Sequence, residues 1–205
     1  MERKIAIVQD NYDKARTYAE QIGRYKKAVK EGFYFEALLI EYAMIEDRTM
    51  AFLYHCGIQL DRGDVKISKI AKQKLLKIIL PPQEGKQRAY SLNGLGKKTE
   101  MIRAIIEWEC TTEQVPDDRY LKMLKSQCES LDAAAFQKTL EDIDKWKAYR
   151  NEVIHGLLNK NMDALGSDLE DNVNNGMRLA RELDAQVRVI KKNNRIRKAA
   201  NLPVK

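Results

Sequence analysis

The chain has 205 residues, with 37 lysines and arginines against 30 aspartates and glutamates, a formal charge of +7, and 44% hydrophobic side chains. That length suits one ordinary core, and four prolines and ten glycines supply too few turns for a β-sandwich or barrel. No apolar run approaches the roughly 20 residues of a bilayer span. The early stretch Ile5-Ala6-Ile7-Val8 is too short for a signal peptide, so the expected compartment is cytoplasmic, with no membrane partner.

Taken in chain order, the apolar periodicity predicts a first helix over 11–30, carried by Tyr12, Ala15, Ala19, Ile22 and Val29 and broken at Gly32. The second, over 33–56, is the most apolar. Phe35, Leu38, Tyr42, Ile45 and Phe52 form one face, and Leu39, Ala43, Met50 and Leu53 widen it, which places this helix at the centre of a bundle. Gly57 and the turn Asp61-Arg62-Gly63-Asp64 follow, and Asp64 is positioned to cap a basic helix over 65–80 that Pro81-Pro82 stops.

Residues 81–96 read as a loop. Met101, Ile105 and Trp108 predict a helix over 97–110, and the turn at Pro116-Asp117 introduces a short one over 119–128. Ser130 is the expected cap of a long helix carrying Phe136, Leu140, Ile143, Trp146, Arg150 and Val153. Past Gly156 and a turn at 159–161, a stripe from Leu165 through Leu169, Val173, Met177, Ala180 and Val187 to Ile190 predicts the last helix. The whole is an all-α antiparallel bundle in one domain, with its core over about 33–190 and a basic C-terminal tail over 191–205.

Two places concentrate positive charge. Lys66, Lys69, Lys72, Lys74 and Lys77 share one helix, and Lys191, Lys192, Arg195 and Arg197 lie in the tail. Each reads as a solvated face or frayed end, and also as a candidate RNA-binding surface. Cys56, Cys110 and Cys128 have no metal-ligand spacing and read as buried small hydrophobes. With only two histidines, His55 and His155, neither a metal site nor a cofactor is expected. Gly94-Leu95-Gly96-Lys97-Lys98-Thr99 imitates a phosphate loop, but Ser91 stands where its first glycine belongs.

The segment with the clearest chemistry is Arg150-Asn151-Glu152-Val153-Ile154-His155. Arg150 continues an apolar stripe, and a permanent charge there needs an acidic or phosphate partner. Glu46 and Asp47 on the second helix are candidates to hold it. Asn151 and His155 share a face. His155 precedes Gly156, a natural helix end whose dipole favours a protonated imidazole. Arginine, amide and imidazole together suit metal-free RNA transesterification, with His155 moving protons and Arg150 stabilising phosphorane charge. A second pair, Arg48 and His55, stands seven apart, with Glu41 seven before Arg48. That stripe reads as a polar ladder between helices, with a lesser prospect of facing an active cleft.

Arg-Asn-x-x-x-His late in a helix of an all-α bundle resembles the signature of the HEPN superfamily, Arg-x(4–6)-His with Asn, Asp or His after the arginine. The resemblance implies a bundle of HEPN type with additional helices, dimerising so that two motifs share a composite cleft. It implies that Arg150, Asn151 and His155 are catalytic in a metal-independent endoribonuclease of toxin or phage-defence type, with RNA as substrate and an antitoxin or regulatory protein as a possible partner. In one toxin subgroup a tyrosine stands two positions after the histidine; here it is Leu157. The alternative is a non-catalytic HEPN-like module binding RNA or a partner protein.

Overall fold

The computed structural model describes residues 11–61, 65–81, 90–156 and 168–204. Among them every regular element is helical, apart from one isolated antiparallel bridge between Gln59 and Ile67. The helices are α1 (Asn11–Lys30), α2 (Tyr34–His55), α3 (Leu76–Ile79, entered through a π-helical turn at Ala71–Leu75), α4 (Leu95–Thr111), α5 (Arg119–Cys128), α6 (Ala133–Gly156), α7 (Leu169–Lys191) and α8 (Arg195–Ala199, entered through a 3-10 turn at Lys192–Asn194). No described helix is long and apolar enough to cross a membrane.

Local chemistry explains most of the boundaries. Gly32 stands at φ +74 after α1, in the left-handed region that glycine reaches without penalty. Asp118 caps α5 by accepting from the amides of Tyr120 and Leu121, at 3.0 and 3.1 Å. The long helix α6 starts later than the sequence predicts, because the Ala135 amide is taken by Asp132 Oδ1 (3.0 Å) and Ser130 is not its cap. The basic segment also differs. Lys66 precedes the helical turn, and Ser68 does the capping, its hydroxyl donating to Gly57 O and accepting from the Ala71 amide. The expected cap Asp64 and the turn at 159–161 lie outside the described residues.

α2 is the central element, packed against α1, α4, α6 and α7. Paired contacts fix the directions. Phe52 meets Phe136 edge-on at 5.2 Å while Tyr42 meets Arg150, so α6 runs antiparallel to α2. On the other side Glu41 lies against Gly176, and Arg48 against Asp184. Both numbers rise together, so α2 and α7 are parallel neighbours, a departure from a purely antiparallel bundle. Leu39 and Ala43, expected to widen the buried face, are exposed on the outer side of α2.

Among the described glycines, Gly176 leaves the least room for a side chain. A Cβ there would stand 2.7 Å from Trp146 Nε1 and closer still to Glu41 Oε2. The indole cannot retreat, because it donates to Asn172 O at 3.0 Å. Gly176→Ala is therefore expected to cost about 1–3 kcal/mol through overpacking, read as a lower urea midpoint. An unchanged midpoint would show that the junction is loose.

The C-terminal segment is not the solvated tail that its composition suggests. Ile196, Arg197, Ala199 and Ala200 are buried. Arg197 Nη1 donates to the carbonyls of Tyr54 (2.8 Å) and Gln59 (2.9 Å), Nη2 to Leu60 (2.8 Å) and Nε to Pro203 (2.8 Å). Its guanidinium also lies 3.6 Å over the Tyr54 ring. This arginine clamps α8 to the end of α2, and its expected role as an RNA contact is withdrawn: its donors are spent on backbone. Lys191, Lys192 and Arg195 do remain exposed, as do Lys66, Lys69, Lys72, Lys74 and Lys77, with Lys74 paired to Asp118.

Candidate functional site

The Arg150–His155 segment forms the last turns of α6, which stays helical to Gly156. Ile143, Trp146 and Val153 bury their side of the helix and fix its rotation. Arg150 comes out at the edge of that stripe, half-buried. Its guanidinium carbon rests 4.5 Å from the centroid of Tyr42 on α2, an arrangement worth about 0.5–2 kcal/mol. Nη1 donates to Asn151 Oδ1 at 3.1 Å. Nε is buried without a hydrogen-bond partner among the described residues.

Neither expected acid holds Arg150. Glu46 pairs with Lys98 at 2.6 Å, whose side chain is buried; Lys98 is thus a packing residue and its loop is no phosphate cradle. Asp47 points to the other side of α2, where it takes Lys14 at 2.6 Å, the Tyr18 hydroxyl at 2.7 Å and Arg48. Burial would push its carboxyl up, but Lys14 and Arg48 together hold it below its usual range. What supports Arg150 is the aromatic ring one turn before Glu46, a partner that charge matching alone does not suggest.

His155 is exposed in the last turn of α6, and Asn151, one turn earlier, is half-buried. On an intact helix, positions five apart diverge by about 140°. A single copy therefore presents the guanidinium and the imidazole to different sides. Leu157 lies outside the described residues.

Comparison with family models, with curated proteins and with solved structures finds no match.

Of the Glu41–Arg48–His55 stripe, Arg48 ties helices together. Arg48 Nη1 reaches Asp184 on α7 at 2.7 Å, and its guanidinium covers the Tyr18 ring of α1 at 4.5 Å, so one side chain joins three helices. His55 is buried at the end of α2. Glu41 is fully buried, and burial drives its carboxyl up to about 9. The Tyr25 hydroxyl and the Met177 amide pull it partway back. Neither oxygen, however, reaches hydrogen-bond geometry with a partner among the described residues. Burial likewise lifts Tyr25 to about 12, with Glu41 adding to the shift. Sequence reasoning recognised this stripe but not the cleft above it, which three separate helices assemble. Of the cysteines, Cys56 and Cys128 are buried as expected, whereas Cys110 is exposed at the end of α4.

Proposed function

We propose that the chain is a metal-independent endoribonuclease of HEPN type that acts as a homodimer, with Arg150, Asn151 and His155 as its catalytic residues. The observation that carries this reading is Arg150: a half-buried guanidinium seated on an aromatic ring, with no carboxylate holding it and its buried Nε unpartnered among the described residues. A guanidinium so placed, in no ion pair among the described residues, is suited to a phosphate. The accessible His155 and the neighbouring amide complete the set.

In this mechanism the 2′-hydroxyl of RNA loses its proton to one imidazole and attacks the adjacent phosphorus. The O2′–P bond forms, the P–O5′ bond breaks, and a second imidazole protonates the departing 5′-oxygen. Arg150 neutralises the charge that builds on the non-bridging oxygens. Because one helix directs Arg150 and His155 apart, the second copy supplies the complementary groups. Leu39, half-exposed three residues before Tyr42, gives this face an apolar neighbour suited to such contact.

The test is cleavage of single-stranded RNA in EDTA by the wild-type dimer and by His155→Ala. Products ending in a 2′,3′-cyclic phosphate are expected. So is a loss of about 10²–10⁴-fold in the variant, with an unchanged helical circular dichroism spectrum. Wild-type rates in His155→Ala refute the assignment. The exposed stripe Lys66, Lys69, Lys72 and Lys77 favours a second reading, a non-catalytic RNA-binding module. That reading requires salt-sensitive RNA binding without turnover.

A further inference from the structure

α1 does not fill the groove between α2 and α7. It leaves a cleft of about 980 Å³ lined at its base by the buried small or apolar side chains Ala51, Met177, Ala180 and Val187. On α7 the lining runs from Met177 to Lys191, about 21 Å at the helical rise. The motif residues Arg150, Asn151 and His155 do not line it.

The charges along this cleft are strongly one-sided. Among the described residues that line it, Lys14 and Lys26 on α1, Arg48 on α2, and Arg181, Arg188 and Lys191 on α7 face a single acid, Asp184. Asp184 is engaged by Arg48 and Arg188 (2.7 and 2.8 Å), and Lys14 is engaged by Asp47. Lys26, Arg181 and Lys191 are exposed and make no ion pair among the described residues. Arg181 acts on Tyr25, the neighbour of Lys26, so these two cations mark one end of the cleft. Lys191 marks the other, on the turn beyond Arg188.

An occupant with one anionic head would answer one end and leave the other uncompensated. A chain with repeated anionic groups answers both. A single strand can lay its phosphates along the basic rims on α1 and α7 and its bases over the apolar side chains between them. At about 3.4 Å per stacked nucleotide, the trough spans about six.

We infer that this cleft is a binding track for a single strand of RNA, distinct from the cleavage motif, with Lys26, Arg181 and Lys191 contacting its phosphates. The inference deepens the ribonuclease reading and rests on it for the choice of RNA.

The experiment is fluorescence anisotropy with a labelled 12-nucleotide single-stranded RNA. It is carried out on the full chain in EDTA, with His155→Ala introduced so that the probe survives. The triple variant Lys26→Glu/Arg181→Glu/Lys191→Glu is expected to bind about tenfold or more weakly at 0.1 M salt, and to lower the salt slope by about two. A control with equal charge change outside the cleft, Arg119→Glu/Lys138→Glu/Lys145→Glu, is expected to bind as the parent does. Parent-like binding by the cleft variant overturns the proposal, and so does an equal loss in the control. The two readings separate cleanly. Cleft-dependent binding by a wild-type chain that does not cleave RNA sinks the nuclease alone. Cleavage with cleft-independent binding sinks the track alone.

Discussion

Replacing Arg197 with methionine is expected to remove about 4 kcal/mol or more of stability. That is a large share of the roughly 5–15 kcal/mol a domain possesses. Methionine approximates the side-chain volume, so the loss isolates the hydrogen bonds rather than a cavity. Four carbonyls, those of Tyr54, Gln59, Leu60 and Pro203, share the guanidinium's donors, and bonds to a charged donor are worth about 1.5–3 kcal/mol each when a partner is lost. Lysine keeps the charge but offers no planar fork to reach carbonyls on several sides, so Arg197→Lys should recover less than half of the loss. Urea titrations followed by circular dichroism measure both. A methionine variant within about 1 kcal/mol of wild type would mean that the clamp is ornamental.

Glu41 governs the second large effect, and its sign is set by protonation. The carboxyl titrates near its ordinary 4.5 when unfolded and near 9 when folded, so between those values the folded chain holds a proton that the unfolded chain has released. Stability is then complete below about pH 4.5 and falls as pH rises toward 9, by an amount on the order of several kcal/mol. Glu41→Gln preserves shape without a titrating group. It should match wild type near pH 5 and exceed it at pH 8.5. The measurement is the urea midpoint of both proteins across that range, and parallel profiles would show that the carboxyl does not stay protonated inside. At neutral pH the uncharged acid also explains how a carboxyl without hydrogen-bond partners among the described residues sits beside Gly176 and Trp146: the charged form would cost far more to bury.

The elements most legible in the sequence were those with local punctuation. α1 and α5 occupy the ranges their apolar spacing predicts, because Gly32 and the Pro116–Asp118 turn act on the backbone directly. The segment at 65–80 was less legible, since a π-helical turn brings Ala71, Leu75 and Leu76 inward together, a placement no regular 3.6-residue stripe anticipates. Arg197 sits in a run of cations that reads as solvent-exposed, and only its distant carbonyl partners on the α2 end reveal otherwise. At the candidate site, the oddity of Arg150 on an apolar stripe was visible from spacing. Its support was not: Tyr42 and Glu46 lie on one side of α2, and charge matching favoured the acid over the ring. The parallel course of α2 and α7 was likewise invisible, because stripes record which face is apolar and not which way a partner runs.

That parallel course has a consequence during synthesis. Arg48 and Asp184 are separated by 136 positions, so at about 5–20 residues per second a ribosome delivers the partner of α2 on the order of ten seconds after α2 itself. Through that interval Ala37, Leu38 and Ile45 must be shielded by α1 or by a chaperone, and a nascent chain stalled before α7 presents them as a ready adhesive for other chains.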